Sequence, residues 1–276
     1  MIRLKKYSLP IIHFILLIGF VSFVFPAQAK KKIRKVLIDA GHGGKDPGCH
    51  GMYSFEKDIT LAVAKKVGKM IQDSLKDVKV VYTRENDVLA GGDILTPRES
   101  CIYRTEVANR EKADLFISIH VNSTPRRNSP VKGTLVLICG PTRIDEKENA
   151  IGDNTQNLGE NEDLLNPNDP ATQIIVAQYS QAFLASSIVL GSKINDGFVQ
   201  QGRVSEGVRQ QSLQVLASSA MPGVLVEIGY LNNYEEENYL NSELGQQEVA
   251  YSIFNGIKAY KLDAEKETIQ IIKERG

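Results

Sequence analysis

Val36-Leu37-Ile38-Asp39-Ala40-Gly41-His42-Gly43-Gly44 runs from a short apolar, β-branched segment straight into a glycine-rich turn. That change reads as a buried strand feeding a loop. Beyond it, Val63, Ala64, Val67, Met70 and Ile71 recur at helical spacing, and Val78 to Tyr82 reads as the next strand. The same reading predicts a helix over Pro97 to Lys112, a strand over Leu115 to Ile119 and another over Gly133 to Ile138. Further on, Ile175, Tyr179, Ala182, Phe183, Val189 and Leu190 mark a long amphipathic helix. Val224 to Ile228 reads as a strand interrupted by Glu227, and Val249, Ile253, Ile257 and Tyr260 share one face of a closing helix. Alternating strands and helices predict an α/β fold: a single domain whose twisted sheet is mixed but mainly parallel, with helices on both faces.

Two stretches depart from this alternation. Between Gly140 and Gln173 the periodicity stops, and Asp145-Glu146-Lys147-Glu148-Asn149 leads into residues rich in Asn, Asp, Glu, Gly and Pro. A connection of that length is either a functional loop or a disordered one. At the other extreme, Arg3, Lys5 and Lys6 precede an apolar run from Ile11 to Phe25 and then Ala27-Gln28-Ala29. This is the order of a secretory signal peptide cleaved near Ala29, which predicts a periplasmic or otherwise exported protein. The run falls short of the ~20 residues of a spanning helix, so no stable membrane insertion is expected after cleavage.

Composition narrows the function classes. The chain has 276 residues, 42% of them hydrophobic and 24% charged, with 33 basic against 33 acidic side chains. A balance of that kind gives no electrostatic footprint for nucleic acid. Cys49, Cys101 and Cys139 are too few and too odd in number for a disulfide scaffold and read as buried or free thiols.

Four polar residues stand at the ends of, or inside, otherwise apolar segments: His42, Glu56, His120 and Glu227. Taken singly, His42 reads as a turn histidine, His120 as a strand-end histidine and Glu56 as an acid at a helix's positive end. Taken together, two histidines and a carboxylate make the donor set of a catalytic zinc site with one open position. Open α/β sheets build their sites where strand ends meet loops. Glu227 either faces solvent from an edge strand or is a buried charge that needs a cation, or a water it activates, to offset a cost of several kcal/mol.

These segments resemble the zinc-dependent N-acetylmuramoyl-L-alanine amidases of the bacterial cell wall. Val36 to Gly48 looks like the family's opening motif, Phe55-Glu56-Lys57-Asp58 its second segment, Ala113 to Ser123 its third and Val224 to Asn233 its catalytic strand. The resemblance implies one Zn2+ held by His42, Glu56 and His120, with Glu227 as the catalytic carboxylate. It implies hydrolysis of the amide between N-acetylmuramic acid and L-alanine in peptidoglycan, in wall remodelling or daughter-cell separation. On that basis residues 30–276 form the catalytic domain, and the insertion over 140–173 is an autoinhibitory segment moved aside by a periplasmic activator, with a carboxylate such as Glu146 or Glu148 able to occupy the open zinc position. Arg104, Asn109 and Gly207-Val208 also fall where the family has similar residues, without an assigned role. Cys49 and His50 depart from the family's small residues, and His50 reads as a surface or substrate-contacting side chain. Two other activities share this donor set or fold: a zinc peptidase or deacylase on another amide, and a wall-binding module without catalysis.

Overall fold

The computed structural model describes residues 32–156 and 169–275, without the side chains of 155–156 and 267–275. The leader expected over 1–29 and residues 157–168 of the expected insertion lie outside the described residues. In chain order the elements are β1 (Lys35–Ala40), α1 (Glu56–Ser74), β2 (Lys79–Tyr82), α2 (Pro97–Arg110), β3 (Leu115–Asn122) and β4 (Thr134–Cys139). A 3-10 turn (Pro141–Arg143) then leads to α3 (Ile144–Gln156), α4 (Pro170–Gln200), β5 (Ser205–Gln211), α5 (Gln214–Ala217), β6 (Gly223–Tyr230), α6 (Tyr234–Asn241) and α7 (Glu243–Arg275).

One six-stranded sheet runs in the order β2-β1-β3-β6-β4-β5. The first four strands are parallel, β4 is antiparallel to β6, and β5 is parallel to β4. The expected mixed, mainly parallel sheet is therefore what forms. Side chains alternate strictly between its faces. Val36, Ile38, Ile117, Ile119, Val224 and Val226 enter one core under α1, α4 and α7, while Leu37, Phe116, Leu137 and Leu225 enter a second under α2 and α5. Both faces are covered, which is why the central strands are apolar nearly throughout. Thr96 caps α2 in a reciprocal box with Glu99, and Pro97 opens its first turn, so this helix starts where its sequence says it should.

The break in periodicity after Gly140 is not a loop throughout. α3 occupies residues 144–156, and it is anchored by the buried Lys147, whose Nζ donates to Leu216 O at 3.0 Å, Ser219 Oγ at 3.0 Å and Met221 O at 2.8 Å. Met221 precedes β6, and six residues of extended chain, roughly 20 Å, separate it from Glu227. Glu146 lies with α3 at that far end, paired to Arg143 at 3.3 Å. Neither Glu146 nor Glu148, the two carboxylates offered as examples for the open zinc position, therefore stands over the histidines. The local signal was weak because α3 buries little besides Ile151 and Lys147, and Lys147 is fixed by long-range contacts.

α4 is the one described helix long and apolar enough to cross a membrane by length and composition. Its second half packs into the first core through Leu190, Ile194 and Phe198. It crosses α7 very closely: a Cβ built on Gly256 would lie 2.6 Å from the Cα and 2.7 Å from the backbone nitrogen of Ile194. Alanine would favour the helix by about 1 kcal/mol, but the obstacle is backbone, which cannot swing aside, and overpacking costs about 1–3 kcal/mol. Gly256→Ala is expected to lower the thermal midpoint by several degrees in a calorimetric scan. An unchanged or higher midpoint would mean that the two helices are not locked at this crossing.

Candidate active site

Three neighbouring parallel strands, β1, β3 and β6, end on one edge of the sheet, and each delivers a polar side chain there. His120 pairs directly with Glu227 across β3 and β6, and Ala40 pairs with Ile119 across β1 and β3. The two residues after Ala40 carry His42 to the same edge. By alternation Asp39, Ser118, His120 and Glu227 all leave the sheet on the face of the second core.

His42 sits in the left-handed region, with φ of 61°. For a residue with a side chain that conformation costs about 1–2 kcal/mol, so neighbouring structure must hold it. Two buried arginines do. Arg84 donates to the carbonyls of Ala40 at 3.0 Å and Gly41 at 2.9 Å, and Arg104 donates to His42 O at 2.9 Å. Arg104 also pairs at 3.2 Å with Asp39, which accepts from Thr83 Oγ1 and Ser118 Oγ, both at 2.7 Å. Burial alone would push the Asp39 carboxyl up, but Arg104, Thr83 and Ser118 outweigh it and hold it below its ordinary value.

Glu56 opens α1 and reaches both histidines. Its Oε1 lies 2.9 Å from His120 Nδ1 and accepts from Val121 N at 2.9 Å, while Oε2 lies 3.2 Å from His42 Nε2 and accepts from Cys49 N at 2.8 Å. Burial pushes this carboxyl up, yet the two histidines overcome it and hold it well below the usual range. Asp46 Oδ2 lies 2.8 Å from His42 Nδ1, which directs Nε2 of that ring to Glu56. Burial would lower the His42 imidazolium, but Glu56 and Asp46 prevail and raise it. Gly48, at φ of 69°, is required by contact: a Cβ there would lie 2.5 Å from Glu56 Oε2 and 2.7 Å from His42 Cδ2.

The donor atoms of His42, Glu56 and His120 lie within 4.8 Å of one another, and they form the one such group among the described residues. Two imidazoles and one carboxylate fit a zinc ion with an open position. Glu227 fits a neighbouring cation on separate grounds: its Oε2 is buried with no hydrogen-bond partner among the described residues. Burial pushes Glu227 up to about 7, with Glu56 adding to the rise and the histidines opposing it. The four sequence-selected residues are therefore gathered at one edge.

His50 is not in the group; its ring meets Phe55 edge-on at 4.8 Å between centroids. All three cysteines are free thiols, and the Cys49 Sγ donates to Val121 O at 3.2 Å. Sequence reasoning gave no role to Asp39, Asp46 or Arg84, and it named Arg104 and Asn109 without chemistry. Asn109 pins the turn before β6, donating to Ser218 O at 3.0 Å and accepting from Ala220 N at 2.9 Å. Asp39 was signalled by its own sequence: it is a carboxylate inside an apolar strand, as Glu227 is.

A profile described as N-acetylmuramoyl-L-alanine amidase matches residues 36–259. The chain belongs to that family. It is 32% identical over 235 residues to the probable N-acetylmuramoyl-L-alanine amidase AmiB of Haemophilus influenzae, covering 82% of this chain and 51% of that protein. It thus spans about half of AmiB's length. It is also 32% identical to YqiI of Bacillus subtilis, over 85% of this chain and 89% of that one. Among solved structures it resembles the catalytic domain of CwlV, an N-acetylmuramoyl-L-alanine amidase of Paenibacillus polymyxa, with a TM-score of 0.55, 29% identity, and coverage of 84% and 99%.

The raised Glu227 carboxyl has a stability consequence in chelator-treated protein. Its folded value, about 7, exceeds the ordinary 4.5, so the fold favours the neutral acid. The stability this group contributes is present below pH 4.5 and is lost as pH rises through 7, by an amount on the order of 3 kcal/mol. Metal-free Glu227→Gln is therefore expected to gain on metal-free parent by that order between pH 5 and pH 8 in urea unfolding. A constant difference across this range would mean that the parent already compensates the charge.

Proposed function

We propose that this protein is a zinc-dependent N-acetylmuramoyl-L-alanine amidase that acts on peptidoglycan outside the cytoplasmic membrane. The observation that carries the reading is the unpartnered Glu227 oxygen beside a His-Glu-His donor group, on a chain that belongs to the amidase family. The expected leader over residues 1–29 supports export to that substrate.

His42, Glu56 and His120 would hold the ion. When bound, zinc supplies a Lewis acid for the scissile carbonyl and brings the pKa of water to about 7. Asp46 keeps the His42 ring oriented with Nε2 free for the ion. Glu227 takes a proton from the attacking water and delivers it to the departing nitrogen. The carbon–nitrogen bond of the lactyl amide breaks and a carbon–oxygen bond forms, leaving a lactyl carboxylic acid and the free amine of L-alanine. A carboxylate whose ordinary value is displaced toward neutrality suits both halves of this transfer, and such groups contribute about a hundredfold to ten-thousandfold in rate.

The test is product analysis of purified peptidoglycan after digestion by zinc-loaded protein. Peptides that begin with a free L-alanine amine, and glycan strands that keep the lactyl carboxyl, are the expected products. Cuts between stem residues would make the protein a peptidase instead. Glu227→Gln should keep one zinc per chain and lose at least a hundredfold in turnover, whereas His42→Ala and His120→Ala should lose the metal. Near-parental turnover of a zinc-loaded Gln variant would remove Glu227 from the proton transfer.

A further inference from the structure

A cavity of about 360 Å³, with His50, Met52, Ser123, Thr124, Arg127 and Asn128 among its lining, is formed by segments that follow β1, β3 and β6 at the end of the sheet that carries the histidines. Its two walls continue the segments that carry the donor group. One runs from His50 toward Glu56, and the other begins at Ser123, three residues past His120.

Both walls are pinned by buried polar residues from the chain that follows β6. The fully buried Glu237 accepts from Met52 N at 2.8 Å, from Tyr53 N and Ser54 N at 3.0 Å, and from Ser54 Oγ at 2.8 Å. Burial pushes this carboxyl up, but those donors hold it below its ordinary value, so it stays an acceptor at neutral pH. Asn232, 6% exposed, holds the other wall. Its Nδ2 donates to Thr124 O at 3.0 Å and Thr124 Oγ1 at 2.9 Å, its Oδ1 accepts from Thr124 N at 3.1 Å, and its backbone carbonyl accepts from Ser129 N at 2.8 Å. The pocket is formed in advance, which spares a ligand the cost of ordering it.

Its charge has one sign. Among the described residues no aspartate or glutamate lines the cavity, and Arg127, which also lines it, makes no ion pair. His50 is held at the opposite wall by its edge contact with Phe55. A planar guanidinium with free donors beside a preformed polar cavity is suited to a carboxylate. The stem peptide carries carboxylates beyond its L-alanine, at acidic residues and at its free end.

We propose that this cavity is the stem-peptide subsite, and that Arg127, assisted by His50, binds a carboxylate of that peptide. The inference rests on the amidase reading for its substrate, and it names specificity residues rather than groups in the bond-breaking step. It explains why a histidine stands at position 50, where the donor group has no use for it.

The test uses zinc-loaded full-length protein and two readouts. Calorimetric titration with a synthetic peptide that begins at L-alanine and keeps its carboxylates measures binding without cleavage; the same peptide with its carboxyls amidated is the control. Steady-state cleavage of muropeptides supplies KM and kcat. Arg127→Gln should weaken peptide binding and raise KM by about tenfold, with kcat within about twofold and zinc content unchanged. Arg127→Lys should recover part of the loss, and His50→Ala should give a smaller loss in the same direction. The amidated peptide should bind parent and Arg127→Gln alike. Equal binding of the carboxylate peptide by parent and Arg127→Gln would overturn the proposal, even if parent cleaves the muramoyl amide. Arg127-dependent binding by a parent that fails to cleave would instead sink the amidase reading and leave the subsite standing.

Discussion

Glu227 has a buried carboxylate oxygen with no partner among the described residues, at the edge where strands deliver two histidines and the start of α1 a second carboxylate. An uncompensated buried charge costs several kcal/mol, comparable with the net stability of a whole domain. Evolution retains such a group where a cation or a reacting proton offsets the cost. Burial displaces Glu227 toward the neutral acid, and the two histidines lie against Glu56. A cation held by the histidines and Glu56 would leave Glu227 beside it, free to move a proton.

This arrangement depends on a rigid frame whose parts come from distant places in the chain. The Asp39–Arg104 pair lies beneath the histidines and reaches the His42 carbonyl, so the strained turn is braced by a buried ion pair rather than by local sequence. Breaking such a pair by removing one partner typically costs about 3–5 kcal/mol, which makes it an anchor for geometry more than a net source of stability. Glu237 and Asn232 do the same for the two loops beside the site. They follow Glu227 closely in sequence, so the strand that carries the carboxylate is continuous with the residues that shape the adjoining cavity.

The central strands were legible because full burial on both faces demands apolar, β-branched runs, and the polar residues that interrupt those runs marked the site. β5 was not legible. Ser-Glu-Gly-Val-Arg-Gln-Gln is a polar edge strand with one paired neighbour, so no alternation toward a core betrays it. α3 escaped for a related reason: Lys147 fixes it through oxygens about seventy positions away, and that contact leaves no periodic trace. The frame around the donor group was hidden likewise, since Arg104 lies 65 residues from Asp39 and Glu237 lies 185 from Met52. Charged residues scattered through helices and loops look solvated until the fold brings their partners together.

The most direct measurement of the central claim is anomalous diffraction from a crystal of the zinc-loaded protein, with data collected on both sides of the zinc absorption edge. One zinc peak per chain is expected, bonded to His42 Nε2, His120 Nδ1 and a Glu56 oxygen at roughly 2.0–2.2 Å, with Glu227 adjacent and unbonded to the ion. A peak held by other residues, or a fully loaded site in which Glu227 is itself a ligand, would contradict it.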